Sequence, residues 1–452
     1  MNKLQMRKRI YNFIMSFIIV ALQTGVMTYI EVNFYNTQLP KAFFFWGHVF
    51  IALVYAFILF IFSIMYGGLE IGSFRMLELS FSQGFATLIT NVIFYAIVTL
   101  LAYHFPSPVA IMIGTVVQLV IAGLWIIIAT KLFRFLFPPL DILLIYGGDS
   151  VDSFVSKIKS RRHQFKITEK IDATKPIEDI SKAISAHQAV MMWDVSSNER
   201  NSIFKYCYEH SVEIYTTPKI MDIVLRGSKQ LHLFDTPLFL TTSTPMEFEQ
   251  VVIKRVFDIV LSLFILVLAA PFILLTALAV KLCDGGSIIY KQKRLTIDNK
   301  EFYIYKFRSM SENAEADGVA RLASENDSRV TPVGKFIRKV RLDELPQLIN
   351  VLEGSMSFVG PRPERPEICK QYIEDMPEFS YRTKVKAGIT GYAQVYGKYN
   401  TIPYDKLKLD LFYIENYSFW LDIKLIILTL KTLFKFDSTE GVAEGNVTAK
   451  DR

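Results

Sequence analysis

Asp343 and Glu344 stand side by side in a stretch otherwise dominated by cations, with Arg338 and Arg341 just before them, Lys306 and Arg308 upstream and Arg362 downstream. A carboxylate near the free N–H groups of a helix start shares that place with any incoming phosphate, because both are drawn to the positive end of the backbone dipole. Two like charges about 4 Å apart repel by roughly 4 kcal/mol at an effective dielectric of 20. A carboxylate that attacks a phosphate therefore needs cations around it. Glu344 suits Mg²⁺, since hard cations select carboxylate oxygen, and Arg338 and Arg341 can offer forked contacts to phosphate. The set fits phosphoryl transfer through an aspartyl-phosphate type of intermediate. It equally fits a second arrangement, in which Asp343 caps a helix and the arginines hold lipid headgroups.

Local sequence places the pair. Pro346 suits a first helical turn, and Leu348, Ile349, Val351 and Leu352 followed by Gly354 read as a short helix with its stop signal. Asp343 is then expected at or near the N-cap.

The elements that must carry this site begin with four uncharged apolar runs at residues 10–30, 42–66, 79–103 and 109–130. Each is long enough to cross a hydrocarbon core needing about 20 helical residues. Lys3, Arg7, Lys8 and Arg9 before the first run and Lys131 and Arg134 after the last place both ends in the cytoplasm. The first run is too long for a cleaved signal and lacks a small-residue cleavage site. His48, Gln83 and Asn91 within the runs are expected to pack helices together rather than line a path, since no run carries a charge.

After Pro138 and Pro139 the pattern changes. Strand-like 141–146, a Gly147-Gly148-Asp149 turn, a helix over 151–159, strands at 189–193 and 212–215 and a helix around 198–208 imply a small parallel α/β, Rossmann-like domain over 138–249. Its glycine turn lacks the G-x-G-x-x-G fingerprint, which favours a structural or regulatory module over nucleotide binding.

A fifth apolar segment, 259–282, is flanked on both sides by Lys254, Arg255 and Lys281 and carries Pro271 at its centre. Proline removes a backbone hydrogen bond and kinks a helix, and basic flanks at both ends oppose a crossing. A helix over 255–282 that dips in and returns on the same side is expected; a fifth span with a kink is the alternative. The segment 419–436, with Lys424, Lys431 and Lys435 along one arc and Trp420 at its start, suits a helix lying on anionic lipid, or a core helix with a solvated lysine edge.

Composition agrees with this division. Of 452 residues 51% are hydrophobic, and the net charge of +7 calls for anionic partners. Three widely separated cysteines make neither a disulfide framework nor a metal site.

The stretches KFRSM (306–310), LDELPQLINVLEG (342–354), MSFVGPRP (356–363) and KAGITGYAQV (386–395) resemble the bacterial sugar transferases, monotopic phosphoglycosyl transferases acting on polyprenyl phosphate. The resemblance covers roughly residues 254–436 of a catalytic domain at 250–452; the membrane domain at 1–137 and the α/β domain match the large members by architecture alone. It implies that Asp343 attacks the sugar-linked phosphate of a UDP-sugar, releases UMP and passes the sugar phosphate to undecaprenyl phosphate, with Mg²⁺ on Glu344. It also implies phosphate contacts from Arg338, Lys306, Arg308 and Arg362, a re-entrant helix around Pro271, a place at the cytoplasmic face of a bacterial inner membrane, and a homodimer by analogy. Glucose or galactose is the expected sugar, for exopolysaccharide, capsule or O-antigen. Nucleic acid drops out as a partner. A catalytically silent scaffold or regulator binding polyprenyl phosphate is the competing reading. The chain departs from the family in Ala270-Pro271 for Ser-Pro, Ser355 for an aspartate, and Leu295-Thr296 for Val-Gly.

Overall fold

A computed structural model describes residues 3–148, 151–159, 161–242, 244–310, 329–397 and 401–432. The chain divides into two compact units, Met1–Thr217 and Pro218–Arg452.

The first unit opens with four long helices, α1 (Lys3–Ile30), α2 (Phe45–Met65), α3 (Met76–Ala102) and α4 (Val109–Leu136). Each is long and apolar enough to span a membrane. Aromatic and aliphatic side chains cover their outer faces, while the polar groups turn inward. Tyr55 Oη donates to Asn91 Oδ1 at 2.7 Å, Asn91 Nδ2 donates to Gln118 Oε1 at 2.8 Å, Gln118 Nε2 donates to the Gln23 carbonyl at 2.9 Å, and Thr87 donates to Gln23 Oε1. One network thus ties all four helices, at about 1 kcal/mol per interhelical bond in lipid. Asn91 and Gln83, which donates to the Gly68 carbonyl, pack helices as expected. A charge lies just past the first apolar run. Helix α1 continues into a turn of π-helix at Glu31–Tyr35, and the buried Glu31 meets His48 Nδ1 at 2.7 Å. The apolar run ended one residue too early to include it.

The α/β part of this unit holds β1 (Leu140–Tyr146), α5 (Val151–Lys159), β2 (Phe165–Asp172), α6 (Ile177–Ser185), β3 (Ala189–Trp193), α7 (Ser197–Glu209) and β4 (Glu213–Thr216). The strands form one parallel sheet in the order β2-β1-β3-β4. Buried Ile142 to Ile145 make β1 apolar on both faces, as a central parallel strand requires. Of the expected turn, Asp149 lies outside the described residues.

The second unit begins with α8 (Ile220–Gly227) and a hairpin of β5 (Lys229–Leu233) and β6 (Thr236–Leu240), residues that the sequence reading had grouped with the α/β domain. Then comes α9 (Phe248–Asp284), one helix with Pro271 inside. Before the proline, Arg255 donates to the carbonyls of Val351 and Leu352, and Asp258 Oδ1 accepts from the Phe358 N–H. After it, Ile273, Ala277 and Val280 pack with Phe307 and Ile337. Between these anchors Val260, Phe264, Val267 and Leu268 are exposed.

The remaining elements are β7 (Ile289–Leu295) and β8 (Glu301–Phe307), an antiparallel hairpin, then α10 (Pro332–Lys339), α11 (Gln347–Glu353), β9 (Met356–Val359), α12 (Pro366–Asp375), β10 (Ala387–Thr390, parallel to β9), α13 (Tyr392–Tyr396), α14 (Pro403–Glu415) and α15 (Phe419–Thr432). In α15 the expected lysine arc divides. Lys424 is exposed with Trp420, but Lys431 is buried on the face of Asp422, Leu425 and Leu428. Lys435 and residues 433–436 lie outside the described residues. Two departures from the family pattern meet in this unit. Buried Thr296 donates to the Ser355 carbonyl at 2.7 Å, and the turn that follows puts Asp298 and Asn299 at positive φ, where short polar side chains stand in for glycine.

Candidate active site

The site is built from three segments. Strand β8 carries Lys306, a 3₁₀ turn at Leu342–Glu344 carries the acidic pair, and the loop after β9 carries Arg362. Asp343 lies near the start of α11, as expected, without being the cap itself. Arg341 takes φ +59° and starts the 3₁₀ turn, while Pro346 is the cap of α11, which begins at Gln347. Proline has no N–H to lose at that place, so the acidic pair is set one turn earlier. Gly354 closes α11 at φ +91°, as its position in the sequence predicts.

Glu344 Oε1 is the focus of the cations. Arg362 Nη2 donates to it at 2.9 Å, Lys306 Nζ at 3.2 Å, and Arg341 Nη1 lies 3.7 Å away. Burial works to raise the Glu344 pKa, but Arg362, Lys306 and Arg341 overcome it and hold the carboxyl well below its ordinary range. Asp343 is the opposite case. It is 8% exposed, and its Oδ1 is buried with no hydrogen-bond partner among the described residues. Burial, then the Glu344 charge, push its carboxyl up to about 6, against the pull of Lys306, Arg341 and Arg338. Burial lowers the Lys306 pKa in turn, despite Glu344. Adjacent carboxylates in such different settings can take different roles.

Of the residues singled out from sequence, Asp343, Glu344, Lys306, Arg341 and Arg362 come together. Arg338, near the end of α10, acts on Asp343 through its field and forms no ion pair with either acid among the described residues. Arg308 forms no ion pair with either acid among the described residues. Its buried guanidinium lies against Gly286, where an added Cβ would stand 2.1 Å from Nη1.

Behind Arg362 lies a buried ionic cluster that the sequence reading missed. Arg382 Nε donates to Asp410 Oδ2 at 2.6 Å, Arg382 also faces Glu364, and Lys406 bonds Glu364. A signal was present in α14, where Asp410 shares the buried face with Leu407, Leu411 and Ile414. A charge on an apolar helical face asks for a partner.

The donor set fits a divalent cation of the Mg²⁺ kind. Such an ion takes one or two carboxylates and completes its shell with substrate phosphates and water, and Asp343 Oδ1 is an unused acceptor beside a second carboxylate. Among the described residues no group of three or more His, Cys, Asp or Glu forms a metal cage.

The sequence pattern of the bacterial sugar transferases matches residues 249–436. An uncharacterized sugar transferase of Bacillus subtilis is 38% identical over 202 residues, which are 44% of this chain and 95% of that protein. The chain belongs to the bacterial sugar transferase family. A UDP-N-acetylgalactosamine-undecaprenyl-phosphate N-acetylgalactosaminephosphotransferase of Aeromonas hydrophila is 38% identical over 230 residues, covering 50% of this chain and 53% of the relative. A UDP-glucose:undecaprenyl-phosphate glucose-1-phosphate transferase of Escherichia coli K12 is 36% identical over 260 residues, 56% of each chain. The matches to these two span about half the length of each relative.

Proposed function

We propose that the protein transfers a sugar 1-phosphate from a UDP-sugar to undecaprenyl phosphate and releases UMP, as the first membrane step of exopolysaccharide, capsule or O-antigen synthesis. The observation that carries this is Asp343: a buried carboxyl near pKa 6 with an unused Oδ1, beside a Glu344 neutralised by three cations. Near neutral pH it is ionised, and burial leaves it weakly solvated, as a nucleophile should be.

In the first step Asp343 Oδ1 forms a bond to the sugar-linked phosphorus, and the bond from that phosphorus to UMP breaks, the electron pair leaving with UMP. In the second, an oxygen of the lipid phosphate attacks the same phosphorus and the bond to Asp343 breaks, restoring the carboxylate. Lys306, Arg341 and Arg362 spread the charge on Glu344 and present N–H donors where phosphate oxygens arrive. Arg338 contributes field from α10, and Arg308 is a further candidate phosphate contact. Mg²⁺ would be held by Glu344, and when bound it would neutralise phosphate charge.

We read α9 as re-entrant. Residues on both sides of Pro271 contact the same compact unit, and the exposed apolar stretch between them is where a membrane would receive it; a straight crossing would carry Val280 about 30 Å from Asp258. This supports a catalytic domain at the cytoplasmic face of a bacterial inner membrane, with 1–137 as the membrane domain and the Rossmann-like sheet that follows it as a structural or regulatory module. Relatives named for glucose, galactose and N-acetylgalactosamine support a hexose substrate, with glucose or galactose our expectation.

The test is purified protein in detergent with Mg²⁺ and a panel of UDP-sugars. The parent releases UMP and gains the mass of one sugar phosphate, whereas Asp343→Asn does neither; parent-rate release by Asp343→Asn would end the proposal.

A further inference from the structure

The loop that delivers Arg362 is held in an unusual way. It runs through Gly360, Pro361, Arg362, Pro363 and Glu364, and its two prolines offer no N–H to fix it. Its carbonyls are fixed instead. The Pro361 carbonyl accepts from the Gly388 N–H at 2.9 Å, and that of Glu364 from the Leu295 N–H at 3.1 Å. The two between them are taken by arginine side chains: Arg382 Nη2 donates to the Arg362 carbonyl at 3.0 Å, and Arg294 Nη1 to that of Pro363 at 3.3 Å.

Arg382 is the better anchored of the two. It is 4% exposed, Asp410 holds its Nε, Glu364 faces its Nη1 at 3.6 Å, and the Phe379 ring lies 4.8 Å from its guanidinium carbon. Each of its three nitrogens thus faces a partner of its own, two by hydrogen bonds and one by an ion pair, which holds the guanidinium in its orientation. The Arg362 side chain, by contrast, is long and one-third exposed, and it reaches Glu344 through a single nitrogen at 2.9 Å. A long side chain keeps such a contact only if its own backbone is fixed.

We infer that Arg382, locked by Asp410, is a positioning residue that fixes the Arg362 backbone and so places the Arg362 guanidinium on Glu344 and on the phosphate that arrives there. The inference rests on the transferase reading above. It gives the Arg382–Asp410 pair a role in the reaction although neither side chain touches the acidic pair.

The test is a double-mutant cycle on full-length protein with UDP-sugar, undecaprenyl phosphate and Mg²⁺. Arg382→Gln is expected to raise KM for the UDP-sugar and lower kcat in the same proportion as Arg362→Gln, with a combined loss of about 10²-fold. In the Arg362→Gln background, removing Arg382 as well should cost less than about twofold. A purely structural Arg382 would lower the active fraction instead: Vmax would fall at the parent's KM, and the two losses would multiply. Either result overturns the inference, as does an Arg362→Gln enzyme with the parent's constants. Should Arg382→Gln fail to fold, Asp410→Asn, which keeps the shape and removes the charge, carries the same cycle. A parent that releases no UMP from any UDP-sugar would sink the transferase reading instead, by a result distinct from these.

Discussion

Glu344 Oε1 lies 2.9 Å from Arg362 Nη2, a pairing made across 18 residues by the loop after β9. Because Lys306 and Arg341 share the same oxygen, Glu344 is kept ionised inside the protein, and Asp343 beside it makes no ion pair among the described residues. Removing one cation from such a cage is expected to be costly. Arg362→Ala should lower UMP release by about 10²-fold, the usual loss of one preorganised donor, while Arg362→Lys should recover only part of it because an ammonium lacks the fork. Initial rates with saturating UDP-sugar check both.

Activity should depend on pH through Asp343. Its carboxyl is pushed up to about 6 by burial and by Glu344, and only the carboxylate can attack. The rate should therefore be level near pH 7.5 and fall tenfold per unit well below pH 6. The single-turnover rate of UMP release, measured with no lipid acceptor, isolates this step. A level profile down to pH 5 would remove Asp343 as the nucleophile.

The same shift makes Asp343 a burden on the fold. Its ordinary pKa of 3.8 applies to the unfolded chain, and the folded value is higher. Below the lower value both states are protonated; as pH rises toward 6 the unfolded chain loses its proton first, so stability drains away and the deficit is complete above 6. At 1.36 kcal/mol per unit the deficit is about 3 kcal/mol at most. Asp343→Asn, although inactive, should therefore unfold at a higher temperature than the parent at pH 7.5 and lose that advantage at pH 4. Thermal unfolding at the two pH values decides.

How far the sequence revealed this molecule depended on the range of the interactions. The four long helices were legible because lipid imposes one composition on about 20 residues in a row. Strand β2 and helix α6 were not, since Lys166, Glu169 and Lys170 face solvent and interrupt the apolar signal of an edge strand. Within the site, Asp343 and Glu344 are neighbours in the chain, and Lys306 and Arg362 stand in short motifs. The Arg382–Asp410 pair joins residues 28 apart by a tertiary contact alone, and Arg308 has the right charge in the right motif yet turns toward Gly286. Local pattern cannot report which way a buried guanidinium turns.

Helix α9 supplies the last prediction. Cys283 at its end is exposed, whereas Cys207 and Cys369 are buried, so the native chain carries one ready thiol beyond Pro271. A second, Glu249→Cys, placed before the proline in a Cys283→Ser background, gives the matching probe. If α9 enters and leaves one face, a membrane-impermeant maleimide labels both probes in inverted vesicles and neither in intact cells. A straight crossing puts about 50 Å of helix between the two positions, more than the thickness of the hydrocarbon core, and they would label from opposite sides. Pro271→Leu restores the missing N–H and removes the ring that disfavours a straight helix. It should shift part of the Cys283 population to the outer side and reduce UMP release in proportion, because Val280 would then be withdrawn from Phe307 and Ile337.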